Sequence, residues 1–337
     1  MSEFALKALP PCETEHELPI VVSAEEPGIS LSKASPDLVR LANEHLHKAG
    51  GILFRGFQVG GVDGFHAFAD GFGHPLLSYE FGSTPRTNVK GGVYTSTEYP
   101  AHQEIPLHSE QAYTLSWPLK IWFYCITSAK TGGETPIADN RRIHQALSPS
   151  IRDRFARRGL RYVRNYGGGL DVEWQKVFNT DDRGQVERYC RQNDIAFEWK
   201  PGGELRTSQC CPAVMQHPRT NEPLWFNQAH LFHVSNLQPE VREALLDLVD
   251  EKDLPRNVYY GDGQPIEDAI LDEVRAAMGR CKVIFPWQPG DILMLDNMLA
   301  AHGRSSFSGE RKVVVAMAEA FSAPSCGPPI PVTTNAG

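Results

Sequence analysis

The sequence predicts a mainly β fold with flanking helices (an α+β chain): an antiparallel sandwich or jelly roll carrying its helices on the outside. Three observations predict it. From Leu107 onward, short apolar runs of strand length recur between turn signals. Helical segments interrupt these runs without the regular alternation that parallel βαβ units require. No G-x-G-x-x-G follows a strand and no G-x-x-x-x-G-K-[ST] occurs, which removes the dinucleotide-binding and P-loop readings.

The elements follow in order. Residues 1–34, rich in Pro and Glu, read as an N-terminal strap. Residues 35–106 read as N-terminal helices and a strand. Ser35-Pro36-Asp37 opens a helix with a capping hydroxyl, Pro at the first position and an acid in the first turn. Leu38, Leu41, Ala42, Leu46 and Ala49 continue it near helical spacing, and Gly50-Gly51 ends it. Ile52-Leu53-Phe54 is a short strand, and 62–72 a second helix. Residues 107–323 read as the β core with helical insertions. Its strands are expected at 121–126, 159–164, 195–199, 213–217, 223–227, 281–285, 291–295 and 311–318. Its helices are expected at 149–158, 184–193, 238–250 and 265–278. No repeat or low-complexity segment divides the chain, so 1–337 reads as a single domain.

Composition narrows the partners. The 337 residues carry Lys+Arg 33 against Asp+Glu 41, a formal charge of −8, which argues against a nucleic-acid partner needing a basic face. At 41% hydrophobic and 22% charged residues, the chain matches ordinary globular usage rather than disorder. No apolar run reaches the ~20 residues that span a bilayer, so no membrane partner is expected. The N-terminus shows no basic-then-apolar leader, and seven scattered cysteines lack metal-knuckle or disulfide spacing. Both point to a cytoplasmic location with reduced thiols.

The strongest local signal is Leu107-His108-Ser109-Glu110. On a strand, His108 and Glu110 share a face and could bind one metal ion, with Ser109 pointing away. An H-x-E alone also fits a hydrogen-bonded surface pair. His302, after the strand 291–295, is the best candidate for a third ligand, although spacing cannot deduce it. Two His and one carboxylate on one face leave three octahedral positions open, which is what an Fe(II) oxygenase needs for co-substrate and O2.

His108-Ser109-Glu110, Trp117-Pro118 and Gly132-Gly133-Glu134-Thr135-Pro136-Ile137-Ala138-Asp139 together resemble the taurine dioxygenase (TauD/TfdA) superfamily of Fe(II)/2-oxoglutarate oxygenases. Asp291 to Asp296, His302-Gly303-Arg304 and Gly309-Glu310-Arg311 fit the same family. Glu as the carboxylate is similar to the clavaminate synthase and asparagine oxygenase branch. Phe226-Asn227-Gln228-Ala229-His230-Leu231-Phe232-His233 and Tyr260-Gly261-Asp262-Gly263 are similar to SyrP-like members of nonribosomal peptide pathways. The resemblance runs from about Gly50 to about Ala323.

The resemblance implies a double-stranded β-helix, a jelly-roll core, with iron at one mouth held by His108, Glu110 and His302. It implies Fe(II), 2-oxoglutarate and O2 as cofactor and co-substrates. It also implies that Thr135 and Arg311 bind the distal carboxylate of 2-oxoglutarate, with Lys312 as the rival register. Related enzymes carry a second Arg four residues beyond the first. Here that position is Val315, leaving Arg304 as a substitute for the 1-carboxylate. The implied reaction is hydroxylation of an amino acid or amino-acid-derived substrate near Cβ, free or tethered to a carrier protein. Desaturation or oxidative cyclisation by the same cofactor is the alternative, and a cupin-like zinc hydrolase or isomerase a more distant one. Candidate substrate contacts are Glu104, Arg206 and Asn227. Glu104 qualifies because an extended chain puts 104, 106, 108 and 110 on one face. His230 and His233 have helical metal-ligand spacing, but no nearby carboxylate or Cys, so packing and hydrogen bonding are preferred.

Overall fold

A strict alternation of side chains builds the centre of the protein. The computed structural model describes residues 4–8, 18–26, 28–78, 87–96 and 99–324. Strands Gly51–Arg55, Ile292–Asp296, Ser116–Thr127 and Lys312–Ser322 lie side by side in that order within an eight-stranded sheet. Their mutual pairings are all antiparallel. Successive residues of a strand face opposite ways, so a run that is apolar throughout buries both faces of its sheet. Phe54, Trp122, Met294 and Val314 face one side, where they pack with Leu38 and Ala42 of helix Leu31–Ala49 and Phe65 and Phe68 of helix Gly61–Asp70. Leu53, Phe123, Leu293 and Val315 face the other side and meet Ile137 and Ala300.

Those last two residues belong to a second antiparallel sheet, ordered Lys282–Val283, Ile137–Asp139, Ala300–Arg304, Ile105–His108. The two sheets form the jelly-roll-type sandwich that the sequence predicts. One pairing in the larger sheet is parallel, Ile20–Ala24 with Gly51–Arg55. Expected strands 159–164 and 195–199 belong to neither layer. As Leu160–Tyr166 and Ala196–Trp199, they form a separate four-stranded sheet with Leu205–Cys211 and Arg256–Tyr260. Expected strands 213–217 and 223–227 form a two-stranded pair, Val214–Gln216 with Pro223–Trp225.

Helices Pro149–Arg158, Arg183–Gln192, Pro239–Leu248 and Asp268–Arg280 lie where expected. The first helix does not open at Ser35. It begins at Leu31, with Pro36 inside it. Leu31 is buried, and its N–H donates to the Gln58 carbonyl while Gln58 N–H donates to Ile29, so tertiary contacts extend the helix backward. Pro36 then costs the helix one internal bond, to the carbonyl four residues before it. Gly50 ends the helix as expected, in the left-handed region with its N–H on Leu46 O. The described cysteines are all free thiols, while Cys12 and Cys326 lie outside the described residues. No described helix is long and apolar enough to cross a membrane.

Trp122 is fully buried between sheet and helices, its ring centroid 5.2 Å from that of Phe72. Trp122→Ala is expected to lower unfolding free energy by about 3–5 kcal/mol through lost transfer energy and a residual cavity. Urea denaturation checks this. An unfolding free energy within about 1 kcal/mol of wild type would show that the packing described is not the one that holds the sandwich.

Candidate metal centre

His108 ends strand Ile105–His108, and His302 sits in the middle of Ala300–Arg304; the two are direct cross-strand partners. Opposed residues of antiparallel strands keep their Cβ atoms about 4.5–5.5 Å apart, and here the ring centroids are 4.5 Å apart. Pairing thus joins two histidines that are remote in sequence. His108 Nδ1 lies 2.9 Å from Pro106 O. A carbonyl can only accept, so Nδ1 carries the proton and Nε2 keeps its lone pair for a metal.

Glu110 arrives differently from the expectation. The strand stops at His108, and Glu110 lies in the turn that follows, where Gln111 takes a φ of 56°. Strand alternation therefore does not place it. The turn is pinned from the insertion side instead: Asn140 Nδ2 donates to Ser109 Oγ at 2.9 Å and Gln228 Nε2 to Ser109 O at 2.7 Å. Glu110 Oε2 then comes 4.0 Å from His302 Nε2. One potential ligand atom from each of His108, Glu110 and His302 lies within 4.8 Å of the others. Glu110 and His302 are both buried. A carboxylate and two imidazoles converging at such depth suit a shared divalent cation, which neutralises the acid and uses the lone pairs.

The adjoining cleft is lined by Ser96, Phe123, Thr135, Arg304 and Arg311 together with both histidines. Arg311 Nε donates to Gly133 O at 2.8 Å, and its Nη1 lies 3.3 Å from Ser96 Oγ. Burial, then the neighbouring Arg304 charge, push its pKa down to about 10, so it remains a cation at neutral pH. No carboxylate among the described residues forms an ion pair with it. Thr135 Oγ1 accepts from Trp287 Nε1 at 3.1 Å, which leaves its own O–H to donate. A half-buried guanidinium beside a hydroxyl, next to the donor set, fits a dicarboxylate co-substrate. Lys312 is exposed and Val315 is buried in the apolar core, so the inward register belongs to Arg311. Arg304 lines the cleft, but its Nη atoms hold the carbonyls of Tyr99, Pro100 and Gln103.

The three substrate candidates do not gather here. Glu104 lines a different cleft, with His230, Arg275 and Lys282. The cause is a bulge: His302 pairs with His108 while Arg304 pairs with Ile105, so two residues, Pro106 and Leu107, oppose the single Gly303 and the alternation breaks between 105 and 108. Arg206 serves the separate four-stranded sheet, bridging Asn165, Glu198 and Asp253. Asn227 is buried, donating to Ala213 O at 2.9 Å and accepting from Ala229 N at 3.0 Å. His230 and His233 each direct a ring nitrogen to another partner. His230 Nε2 lies 2.8 Å from Leu107 O, which steadies the His108 strand, and His233 Nδ1 accepts from Ser235 N. Burial pushes the His230 pKa down to about 4, so it works there as a neutral donor.

Comparison with known proteins follows the same line. The family described as taurine catabolism dioxygenase TauD, TfdA family matches residues 7–317. The dapdiamide synthesis protein DdaC of Enterobacter agglomerans is 44% identical over 275 residues, covering 82% of this chain and 84% of its own. A clavaminate synthase-like protein of Arabidopsis thaliana is 33% identical over 284 residues, covering 81% and 82%. Among solved structures, PvcB, described as an Fe, alpha-ketoglutarate dependent oxygenase from an isonitrile synthetic pathway, superposes with a TM-score of 0.53. That match covers 96% of this chain and 95% of PvcB, and at 17% identity it shows a shared fold.

Gly303 gives a sharp test of how the centre is held. A Cβ there would fall 2.5 Å from Ile105 O and 3.3 Å from Leu107 N, both backbone atoms of the His108 strand. Gly303→Ala is expected to push that strand away from His302 and weaken Co(II) or Fe(II) binding at least 10-fold, because misplaced ligands lose metal affinity. Equilibrium metal titration checks it against His302→Ala, which removes a ligand outright. Unchanged affinity in Gly303→Ala would mean that the close strand approach is not needed.

Proposed function

The chain belongs to the taurine catabolism dioxygenase TauD, TfdA family, and from that premise we propose that it is a non-haem Fe(II)/2-oxoglutarate-dependent oxygenase of secondary metabolism. In this reading it hydroxylates an unactivated C–H bond, near Cβ, of an amino acid or amino-acid-derived substrate, free or tethered to a carrier protein. The observation that carries the reading is the meeting of two features in one cleft: the His108–Glu110–His302 donor set and the half-buried Arg311 beside Thr135. The names of the relatives supply the metabolic setting, one in dapdiamide synthesis and one in an isonitrile pathway.

His108, Glu110 and His302 would hold the metal, and the cleft lined by Thr135 and Arg311 would take the co-substrate beside it. Bound iron supplies O2 activation coupled to oxidative decarboxylation of 2-oxoglutarate, giving succinate, CO2 and an oxygen atom for the substrate. Arg311 pairs with the distal carboxylate in a charge-assisted contact, and the Thr135 hydroxyl donates to the same group. Held there, the co-substrate would have its other end free to turn toward His108, Glu110 and His302. Phe123, whose ring centroid is 4.9 Å from that of His302, forms an apolar wall that keeps bulk water from the reacting atoms. A hydrolytic zinc site would leave the Arg311 and Thr135 pair without a role.

Reconstitution with Fe(II), 2-oxoglutarate and O2, over a panel of free and carrier-bound amino acids, is expected to give substrate-dependent succinate and a product heavier by one oxygen atom. Absence of substrate-dependent succinate across the panel would remove the assignment, and a product lighter by two hydrogens would move it to desaturation or ring closure. Arg311→Leu is expected to raise the KM for 2-oxoglutarate by about 10–100-fold, from roughly 1.5–3 kcal/mol of charge-assisted bonding. Metal affinity should be unchanged. A wild-type KM in Arg311→Leu with a collapsed one in Lys312→Leu would transfer the role to Lys312.

A further inference from the structure

Glu110 supplies its carboxylate from a turn, beyond the end of its strand, so ladder hydrogen bonds do not fix it. The side chain of Asn297 does. Asn297 is fully buried. Its Oδ1 accepts from Glu110 N at 2.7 Å, and its Nδ2 donates to Glu110 O at 3.0 Å and Pro118 O at 2.9 Å. A primary amide offers one carbonyl and two N–H groups, and all of them are used here. The amide thus pairs with both the N–H and the C=O of Glu110, as a neighbouring strand would.

The position of Asn297 gives this contact its meaning. It lies in the connection between strands Ile292–Asp296 and Ala300–Arg304, and the latter carries His302. Asp296 stiffens that connection by accepting from Met298 N and Leu299 N at 3.0 and 3.1 Å. His217 braces Asp296 in turn: its Nε2 lies 3.0 Å from Asp296 Oδ2 while its Nδ1 accepts from Thr220 N. Asn140 ties the same connection, at Met298 O, to Ser109 Oγ. One rigid unit therefore holds the turn of Glu110 against the loop leading to His302.

We propose that Asn297 is a positioning residue for the metal centre: it binds no metal, and it sets where the Glu110 carboxylate stands relative to the two imidazoles by clamping the Glu110 main chain. This rests on the donor-set reading above. The need is greater for Glu than for Asp, since the longer side chain has one more rotatable bond to order. A clamped main chain removes the backbone share of that freedom.

Co(II) binding to the full-length metal-free chain tests the proposal without turnover. Asn297→Ala is expected to weaken Co(II) by about 10–100-fold, the usual cost of losing a group that orients a ligand, and to alter the Co(II) d–d spectrum. Asn297→Asp has nearly the same shape but turns an acceptor toward the Glu110 and Pro118 carbonyls. It should weaken Co(II) as well, and it carries the test if the alanine variant does not fold. Asn165→Ala is the control, a buried asparagine that also donates to two backbone carbonyls, those of Lys252 and Leu254, on the separate sheet. It should lower the melting temperature and leave Co(II) affinity at the wild-type value. Wild-type affinity and spectrum in the Asn297 variants, or a loss no larger than that of Asn165→Ala, would overturn the positioning role. Failure of the wild-type chain to bind Co(II) would overturn the donor-set reading instead.

Discussion

The antiparallel pairing of Ile105–His108 with Ala300–Arg304 is the constraint on which the rest of the site depends. A slip of one residue in such a pairing turns a strand's side chains to the opposite face, so His108 and His302 meet in one register only. Several contacts hold that register. His230 grips the Leu107 carbonyl, Gly303 donates its N–H to Pro136 O at 2.9 Å, and Ser305 donates to Glu134 O at 3.1 Å. The missing side chain at Gly303 lets the two backbones approach. The bulge between the paired positions then puts Ile105 and His108 on the cleft side and sends Glu104 away from it.

Charge follows from this geometry. The cleft places two guanidinium groups, of Arg304 and Arg311, within electrostatic reach of each other. Both lose hydration by being there, and burial lowers the pKa of each. Arg304 recovers part of that loss from the carbonyls of Tyr99, Pro100 and Gln103, and Arg311 from Gly133 O and Ser96. A dianionic co-substrate would relieve the mutual repulsion of the two guanidinium groups.

How much was legible in the sequence depended on how local the determining forces are. The apolar runs at 121–126, 291–295 and 311–318 announce strands because both faces of the large sheet are buried, and that needs no knowledge of partners. Ile105–His108, Ile137–Asp139 and Ala300–Arg304 are three to five residues long and carry Pro, Asp, Gly or His. Cross-strand partners make them strands, and no window of sequence contains those partners. His108 and Glu110 were visible as a close pair of ligand-type residues, though the turn that separates them was not. His302 needed the family resemblance. Arg206 and Asn227 look like ligand-binding groups in a list of residues, yet in the fold their polar atoms are taken by Asp253, Asn165, Ala213 and Ala229. The early start of the first helix was hidden because Pro36 reads locally as an opening, while burial of Leu31 overrules it.

Strands Ile137–Asp139 and Lys282–Val283 pair directly, Ala138 with Lys282 and Ile137 with Val283. Everything between them, including the separate four-stranded sheet, is therefore a closed excursion that leaves the small sheet and returns to the spot next to its departure. Closure entropy rises only slowly with the length of such a loop, about 0.6 kcal/mol for each doubling. The excursion can thus lengthen, shorten or exchange its outer sheet at little cost to the sandwich, provided Asn140, Gln228 and His230 keep their grip on the His108 segment. Change in the outer sheet and retention of the His108–His302 pairing can in this way proceed in different stretches of one chain.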